Sequence, residues 1–246
     1  MAYSYDLNKK QLEAVMHTEG PLLILAGAGS GKTSTMTHRI AHLIKEKCVD
    51  PYNILAVTFT NKAAGEMRER VEKLLGGSNH LWIMTFHAAC LRILRIEGGL
   101  SGYTRDFAVY DPIDQKAVIK NIIKEYNIEE KNFPYRMLIS VISKCKEAQH
   151  SPEDYRKIQE KNLHTETIYR VYKRYEEVLK KNNAMDFDDL LLNTVRLFRE
   201  NEEILSKYRK RFRYVMVDEY QDTNRIQYRL IKMLAEQHKN LCVVGD

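Results

Sequence analysis

PLLILAGAGSGKTSTMTHRI, residues 21–40, decides the fold. Its first part, PLLILAG (21–27), is a short apolar run of strand length. From about Lys32 the chain reads as an amphipathic helix. Between them lies AGAGSGKT (26–33), a glycine-rich loop in the strand–loop–helix setting that a phosphate cradle requires. Gly27, Gly29 and Gly31 let backbone N–H groups turn inward, where side chains would keep phosphates away. Lys32 is expected to reach the β- and γ-phosphates and Thr33 to offer its hydroxyl to Mg²⁺. Ala26 stands where the strict pattern has glycine, which is tolerable if that position keeps strand-like dihedrals. The competing reading, a glycine-rich turn with no ligand, does not explain why strand, loop and helix occur in this order. The nucleotide-binding set read here is Ala26, Gly27, Ala28, Gly29, Ser30, Gly31, Lys32, Thr33 and Ser34.

Working outward, NILAVTF (53–59) and HLWIMTF (80–86) repeat the apolar run, each followed by a helix. Alternation resumes with RYVMVDE (213–219), a helix from about Asn224, and NLCVVGD (240–246). Apolar strands alternating with amphipathic helices predict an α/β fold with a parallel sheet covered on both faces. From Asp111 to about Lys210 strand-like runs nearly vanish. Helix starts are marked by Asp111-Pro112-Ile113-Asp114 and Ser151-Pro152-Glu153-Asp154, where a capping side chain precedes proline and an acid follows. The expectation is a sheet domain, 1–105 and 185–246, interrupted by an all-helical subdomain over 106–184, with Asp186 capping the helix that returns to the sheet.

RYVMVDEYQD (213–222) delivers Asp218 and Glu219 to the C-terminal edge of a buried strand, the edge where open α/β sheets bind ligands. Asp218 can hold Mg²⁺ while Glu219 takes a proton from an attacking water. An acidic pair after a strand is often a solvated strand end; a phosphate loop in the same chain favours the catalytic reading. Lys32 and Asp218 stand 186 residues apart, room for the helical insertion.

Composition sets wider bounds. The 246 residues, 44% hydrophobic, can bury a sizeable core. A net charge of +6 permits a polyanionic partner without naming one. Cys48, Cys90, Cys145 and Cys242 form no C-x-x-C pair, which suggests neither a zinc site nor a redox dithiol. The N-terminus lacks a signal-like pattern and no run approaches the roughly 20 apolar residues of a membrane span, so a soluble cytoplasmic protein is expected. The basic runs RERVEK (68–73) and KYRKRFR (207–213) read as solvated helix faces.

Taken together, these motifs resemble the UvrD/Rep/PcrA helicases of superfamily 1. LNKKQLEAV (7–15) looks like the family's glutamine motif and AGAGSGKT its Walker A variant with alanine first. VTFTNKAAGEMRERV (57–71) is similar to motif Ia, TFHAACLRILR (85–95) to motif Ib and MDFDDLL (185–191) to a further DNA-associated segment. VDEYQDTN (217–224) is similar to motif II and VVGD (243–246) to the start of motif III. The resemblance implies a RecA-like first motor domain with an inserted helical subdomain, ATP and Mg²⁺ as ligands, and 3′ to 5′ translocation on single-stranded DNA and partial duplexes. It implies adenine contact by Gln11, metal binding by Thr33 and Asp218, catalysis by Lys32 and Glu219, and γ-phosphate sensing by Gln221. Gln11 is equally placed to close a capping box with Asn8, and the two roles are compatible.

By the same resemblance three clusters line a DNA track: Phe59, Thr60, Asn61 and Lys62; Thr85, Phe86 and His87; and Phe187. Aromatic rings can stack bases while polar and basic neighbours hold phosphates. An aromatic at a strand end is also a common core residue, a reading that stays open for Phe86 in particular. His87 has no H-x-x-x-H or cysteine neighbour, which favours hydrogen bonding over metal ligation.

In the family, motif III continues into a glutamine and an adenine-stacking aromatic, and a second motor domain supplies arginines. None of these lies within residues 1–246, so the chain alone is expected to hydrolyse ATP weakly or not at all. The alternatives are a nucleotide-dependent DNA-binding module without turnover and the motor part of a helicase-nuclease subunit. A small-molecule kinase would explain neither motif Ia nor DEYQD. Repair and replication proteins both remain open as partners.

Overall fold

The computed structural model describes residues 7–27, 29–77 and 80–246, without the side chains of Leu100 and Ser101. Ala28 lies outside the described residues. The chain divides into two compact units: Met1–Ala89 with Phe198–Thr223 and Gln227–Asp246, and Cys90–Leu197 with Asn224–Ile226.

The first unit is built on five strands: β1 (Leu22–Leu25), β2 (Ile54–Thr58), β3 (Trp82–Thr85), β4 (Tyr214–Val217) and β5 (Leu241–Gly245). Their order across the sheet is β1-β5-β4-β2-β3. Every neighbouring pair is parallel, so all five C-terminal ends lie along one edge. All residues of β2 and β4 are buried, as expected for central strands covered on both faces. On one face Met36, Ile40 and Leu43 of a helix α1 (Lys32–Lys45) and Met67 and Val71 of α2 (Asn61–Leu75) pack with Ala56, Ile83, Met216 and Val244. On the other, Trp82 meets Phe212 at 5.0 Å between ring centroids. Large side chains excluded from water in this way each contribute about 1.5–3 kcal/mol.

Local signals start and stop these helices. The Thr60 side chain accepts from Ala63 N at 3.1 Å, and Gly76 closes α2 in the left-handed region at φ 76°. The shorter helix Lys9–Met16 opens on a complete capping box between Asn8 and Gln11. Helices Glu202–Arg211 and Arg225–Ala235 flank β4 in sequence, while helix Phe86–Glu97 follows β3 and runs into the second unit.

In the second unit, helices Pro112–Glu125, Tyr135–Glu147 and Leu163–Lys181 share a core of Ile119, Ile122, Leu138, Ile142, Ile168, Val171 and Tyr172. The N-caps expected at Asp111 and Ser151 are present, each closed into a capping box by the acid that follows. The expectation of an all-helical block needs one correction: Ala108–Tyr110 and Ala184–Asp186 pair as a two-stranded parallel sheet. Three-residue strands are too short to show a period in sequence; their pairing is fixed by tertiary contact. Among the described residues no helix is long and apolar enough to cross a membrane.

Candidate functional site

The site is assembled on the edge where β1, β5 and β4 end. Ala26 N donates to Gly245 O at 3.1 Å, so the glycine-rich loop leaves the sheet beside the end of β5. Ala26 is not among the residues with positive φ, which removes the demand for glycine there. Gly29 and Gly31 do have positive φ, 74° and 85°, whereas Gly27 does not. Gly31 is the N-cap of α1 and brings no capping side chain to its first turn, the end of a helix that attracts anions. Ser30 N donates to Gly27 O at 3.2 Å and Thr35 N to Gly31 O at 2.9 Å, closing the loop onto the helix. Ser34 turns towards its own helix, its hydroxyl 3.4 Å from His38 Nδ1.

Gln11 braces this loop from outside. Its Nε2 donates to Ser30 O at 2.9 Å while its Oε1 accepts from Asn8 N at 2.9 Å. One side chain thus closes the capping box and holds the glycine-rich loop. A Cβ on Gly31 would stand 2.6 Å from Gln11 Nε2, a second reason for glycine there.

Lys32 extends along the edge, its side chain 10% exposed, and its ammonium bonds to the carboxylate of Asp246. Glu219 Oε2 is 3.9 Å from the same ammonium. Glu219 occupies the left-handed region at φ 50°, an uncommon conformation for a non-glycine residue and one that concentrates at functional sites. Gln221 Nε2 donates to Glu219 Oε2 at 2.7 Å, and Gln221 Oε1 accepts from Asp246 N at 3.4 Å. A Cβ on Gly245 would lie 2.7 Å from Gln221 Oε1, so that glycine admits the amide. Asp218 is buried behind this network. Burial and the neighbouring Glu219 charge raise its carboxyl above the usual range, while its bond from Glu219 N at 3.1 Å and the charge of Lys32 oppose the shift.

The hydroxyl of Thr33 and the carboxylate of Asp218 are hard oxygen donors that suit Mg²⁺. Among the described residues no group of three or more His, Cys, Asp or Glu could hold a metal. Mg²⁺ is commonly held by one or two protein oxygens, its shell completed by phosphates and water.

The remaining sequence-identified residues fall into three groups. At the end of β2, Phe59 is half-buried, whereas Thr60, Asn61 and Lys62 are exposed. Lys62 is 4.0 Å from Glu66 one helical turn on. At the end of β3, the buried Thr85 accepts from Ala88 N at 3.2 Å. His87 is half-buried, and burial lowers its imidazole pKa, favouring the neutral ring. Phe86 is 2% exposed and packs edge-to-face on Phe59 at 5.7 Å, which favours the core reading left open for it. In the second unit Phe187 is 41% exposed.

Two features escaped the sequence reading. Asp246 was counted only as part of a motif, yet it is the partner of Lys32. Lys146, fully buried in the second unit, bonds Asp186, Asp189 and Glu176. A signal existed, for Lys146 falls on the buried stripe Leu138, Ile142, Cys145, where helical spacing calls for an apolar residue.

A parallel sheet carrying a glycine-rich loop, a lysine and a strand-end acidic pair on its C-terminal edge defines a protein of the P-loop α/β class. The family model of the UvrD/REP helicase N-terminal domain matches residues 7–246, and the chain belongs to that family. It is 52% identical over 242 residues to a protein of Staphylococcus epidermidis strain RP62A named ATP-dependent DNA helicase PcrA, covering 98% of this chain and 33% of that protein. The same name is carried by a Staphylococcus aureus Mu50 protein, 52% identical over 241 residues with the same coverage. The chain spans about a third of the length of the curated relatives it matches.

Proposed function

We propose that this chain is the first RecA-like motor domain, with a helical subdomain inserted over 106–184, of an ATP-dependent DNA helicase that moves 3′ to 5′ along single-stranded DNA. The observation that carries the reading is the Lys32–Asp246–Gln221–Glu219 network at the mouth of the phosphate loop. The division of the chain into two compact units supports the insertion, and the name shared by the relatives supports the activity.

In this reading Lys32 exchanges the Asp246 carboxylate for the β- and γ-phosphates of ATP, with loop residues 26–31 and Ser34 around them. Both partners of Lys32 are about half-exposed, so the exchange costs little desolvation. Thr33 and Asp218 hold Mg²⁺, which when bound neutralises phosphate charge. Glu219 takes the proton of the attacking water, and its left-handed backbone fixes the carboxylate at the strand end. Gln221, hydrogen-bonded to Glu219, senses the γ-phosphate. Gln11 contacts adenine by sharing or releasing its bond to Ser30. Phe59, Thr60, Asn61, Lys62, Thr85, Phe86 and His87 contact single-stranded DNA, with Phe86 packed against Phe59, as does Phe187 of the second unit. The protein works in the cytoplasm, on single-stranded and partly duplex DNA, beside repair or replication proteins.

The test is ATP hydrolysis with and without single-stranded DNA, in this chain and in a protein extended to the length of the relatives, each with and without Glu219→Gln. The extended protein is expected to be DNA-stimulated and to lose about 10²–10⁴-fold in turnover with Glu219→Gln, the usual worth of a general base. Nucleotide and DNA binding without turnover in both would favour a binding module. No response to DNA in either would end the helicase reading.

A further inference from the structure

Asp186 and Asp189 close a reciprocal box around Phe187: Asp189 N donates to Asp186 Oδ1 at 2.8 Å, and Asp186 N donates to Asp189 Oδ2 at 3.1 Å. The second oxygen of each carboxylate is bound to one buried ammonium, Lys146 Nζ to Asp186 Oδ2 at 2.8 Å and to Asp189 Oδ1 at 2.7 Å. Asp186 Oδ2 also accepts from Tyr175 Oη at 2.9 Å, and Glu176 approaches the ammonium to 2.9 Å. All four carboxylate oxygens of the box are therefore engaged, and Lys146 is 0% exposed. Phe187 is the residue in this box that is 41% exposed.

A buried lysine among carboxylates is a poor way to gain stability, since desolvating the charges offsets most of their attraction. What such a network does supply is a fixed geometry, because every carboxylate oxygen is held by a donor from a set direction. A ring that stacks a base binds more tightly when its backbone is already held in the bound arrangement.

We infer that Lys146 is a positioning residue for single-stranded DNA binding, clamping the Asp186–Asp189 box so that Phe187 is presented in one orientation. The inference rests on the proposed role of Phe187 as a DNA contact. Lys146 itself need not touch DNA.

The experiment measures binding of fluorescein-labelled oligo(dT) to this chain by anisotropy, for Phe187→Ala, Lys146→Met and the double variant, with circular dichroism melting of each. Phe187→Ala is expected to weaken binding about tenfold, the order of one lost stacking contact. Lys146→Met should weaken it by a similar factor, and the double variant no further than Phe187→Ala alone, because both changes act through one ring. Losses that multiply in the double variant, or a folded Lys146→Met with unchanged affinity, would overturn the clamp while leaving Phe187 as a contact. Unchanged affinity in Phe187→Ala would overturn both the contact and the clamp. If Lys146→Met does not fold, Asp189→Asn and Tyr175→Phe, which keep the ammonium paired, take its place under the same criteria.

Discussion

Among the described residues, Lys32 and Lys146 are both ringed by carboxylates, and they are built for opposite purposes. Lys32 ends at a sheet edge against Asp246 and Glu219, whose side chains are 51% and 42% exposed. Lys146 ends in the interior against Asp186 and Asp189, which are 1% and 4% exposed. Around Lys32 water can replace either partner, so an incoming polyanion competes on fair terms. Around Lys146 any lost partner leaves a charge stranded in a low-dielectric interior. The difference separates an ion pair that can be exchanged for a ligand from one that holds geometry.

The contrast can be broken most directly at Lys146. Lys146→Met is expected to cost about 3–5 kcal/mol in urea unfolding, the usual consequence of removing one side of a buried ion pair. Lys32→Met should leave unfolding within about 1 kcal/mol of the parent, because its partners are half-exposed. Its cost should appear instead in a fluorescent-ATP titration, as a loss on the order of a hundredfold from removing a charge-to-phosphate contact. If both variants lost only stability, or both only ligand affinity, the division between the two lysines would be wrong.

Gly31→Ala sharpens the same comparison at the loop itself. A side chain at φ 85° costs about 1–2 kcal/mol, and its Cβ would also displace Gln11. Unfolding and ATP titrations should both shift, whereas Gly27→Ala, with ordinary φ and nothing within 4 Å of its Cβ, should leave stability almost unchanged.

The smallest expected effect is a pH dependence in the buried cluster. Burial first, then the charges of Asp186 and Glu176, push the Asp189 carboxyl up to about 8 against the pull of Lys146. Asp186, although buried, is held below the ordinary range by Lys146, the backbone bond from Asp189 and Tyr175. The folded chain therefore holds a proton on Asp189 more tightly than the unfolded chain does. The corresponding stability is full below about pH 4 and is lost as pH rises towards 8. Asp189→Asn is expected to remove this contribution, which the opposite shift of Asp186 partly offsets, as read from melting curves of the two proteins across that window. Parallel curves would show that Asp189 ionises normally.

Much of this was legible in the sequence. All five strands were marked by apolar runs, and the caps at Asn8, Asp111 and Ser151 formed as their residue types require. Phosphate-loop geometry was legible because Gly29 and Gly31 answer to local backbone sterics. The two-stranded sheet of 108–110 with 184–186 was not, for each strand is three residues long and depends on the other, far along the chain. For Phe86 the choice between core and DNA contact stayed open, because sequence records a ring at a strand end but not which side of it is covered.

By itself, then, the sequence determined the parallel α/β architecture, the phosphate loop and the acidic strand end, since these follow from local periodicity, caps and short motifs. Tertiary structure alone decided that Lys32 pairs with Asp246, that Gln11 braces Ser30, and that Lys146 closes on two carboxylates 40 and 43 residues away. The physical reason is that charge pairing and burial depend on which distant segments meet, and no spacing within a single element encodes that.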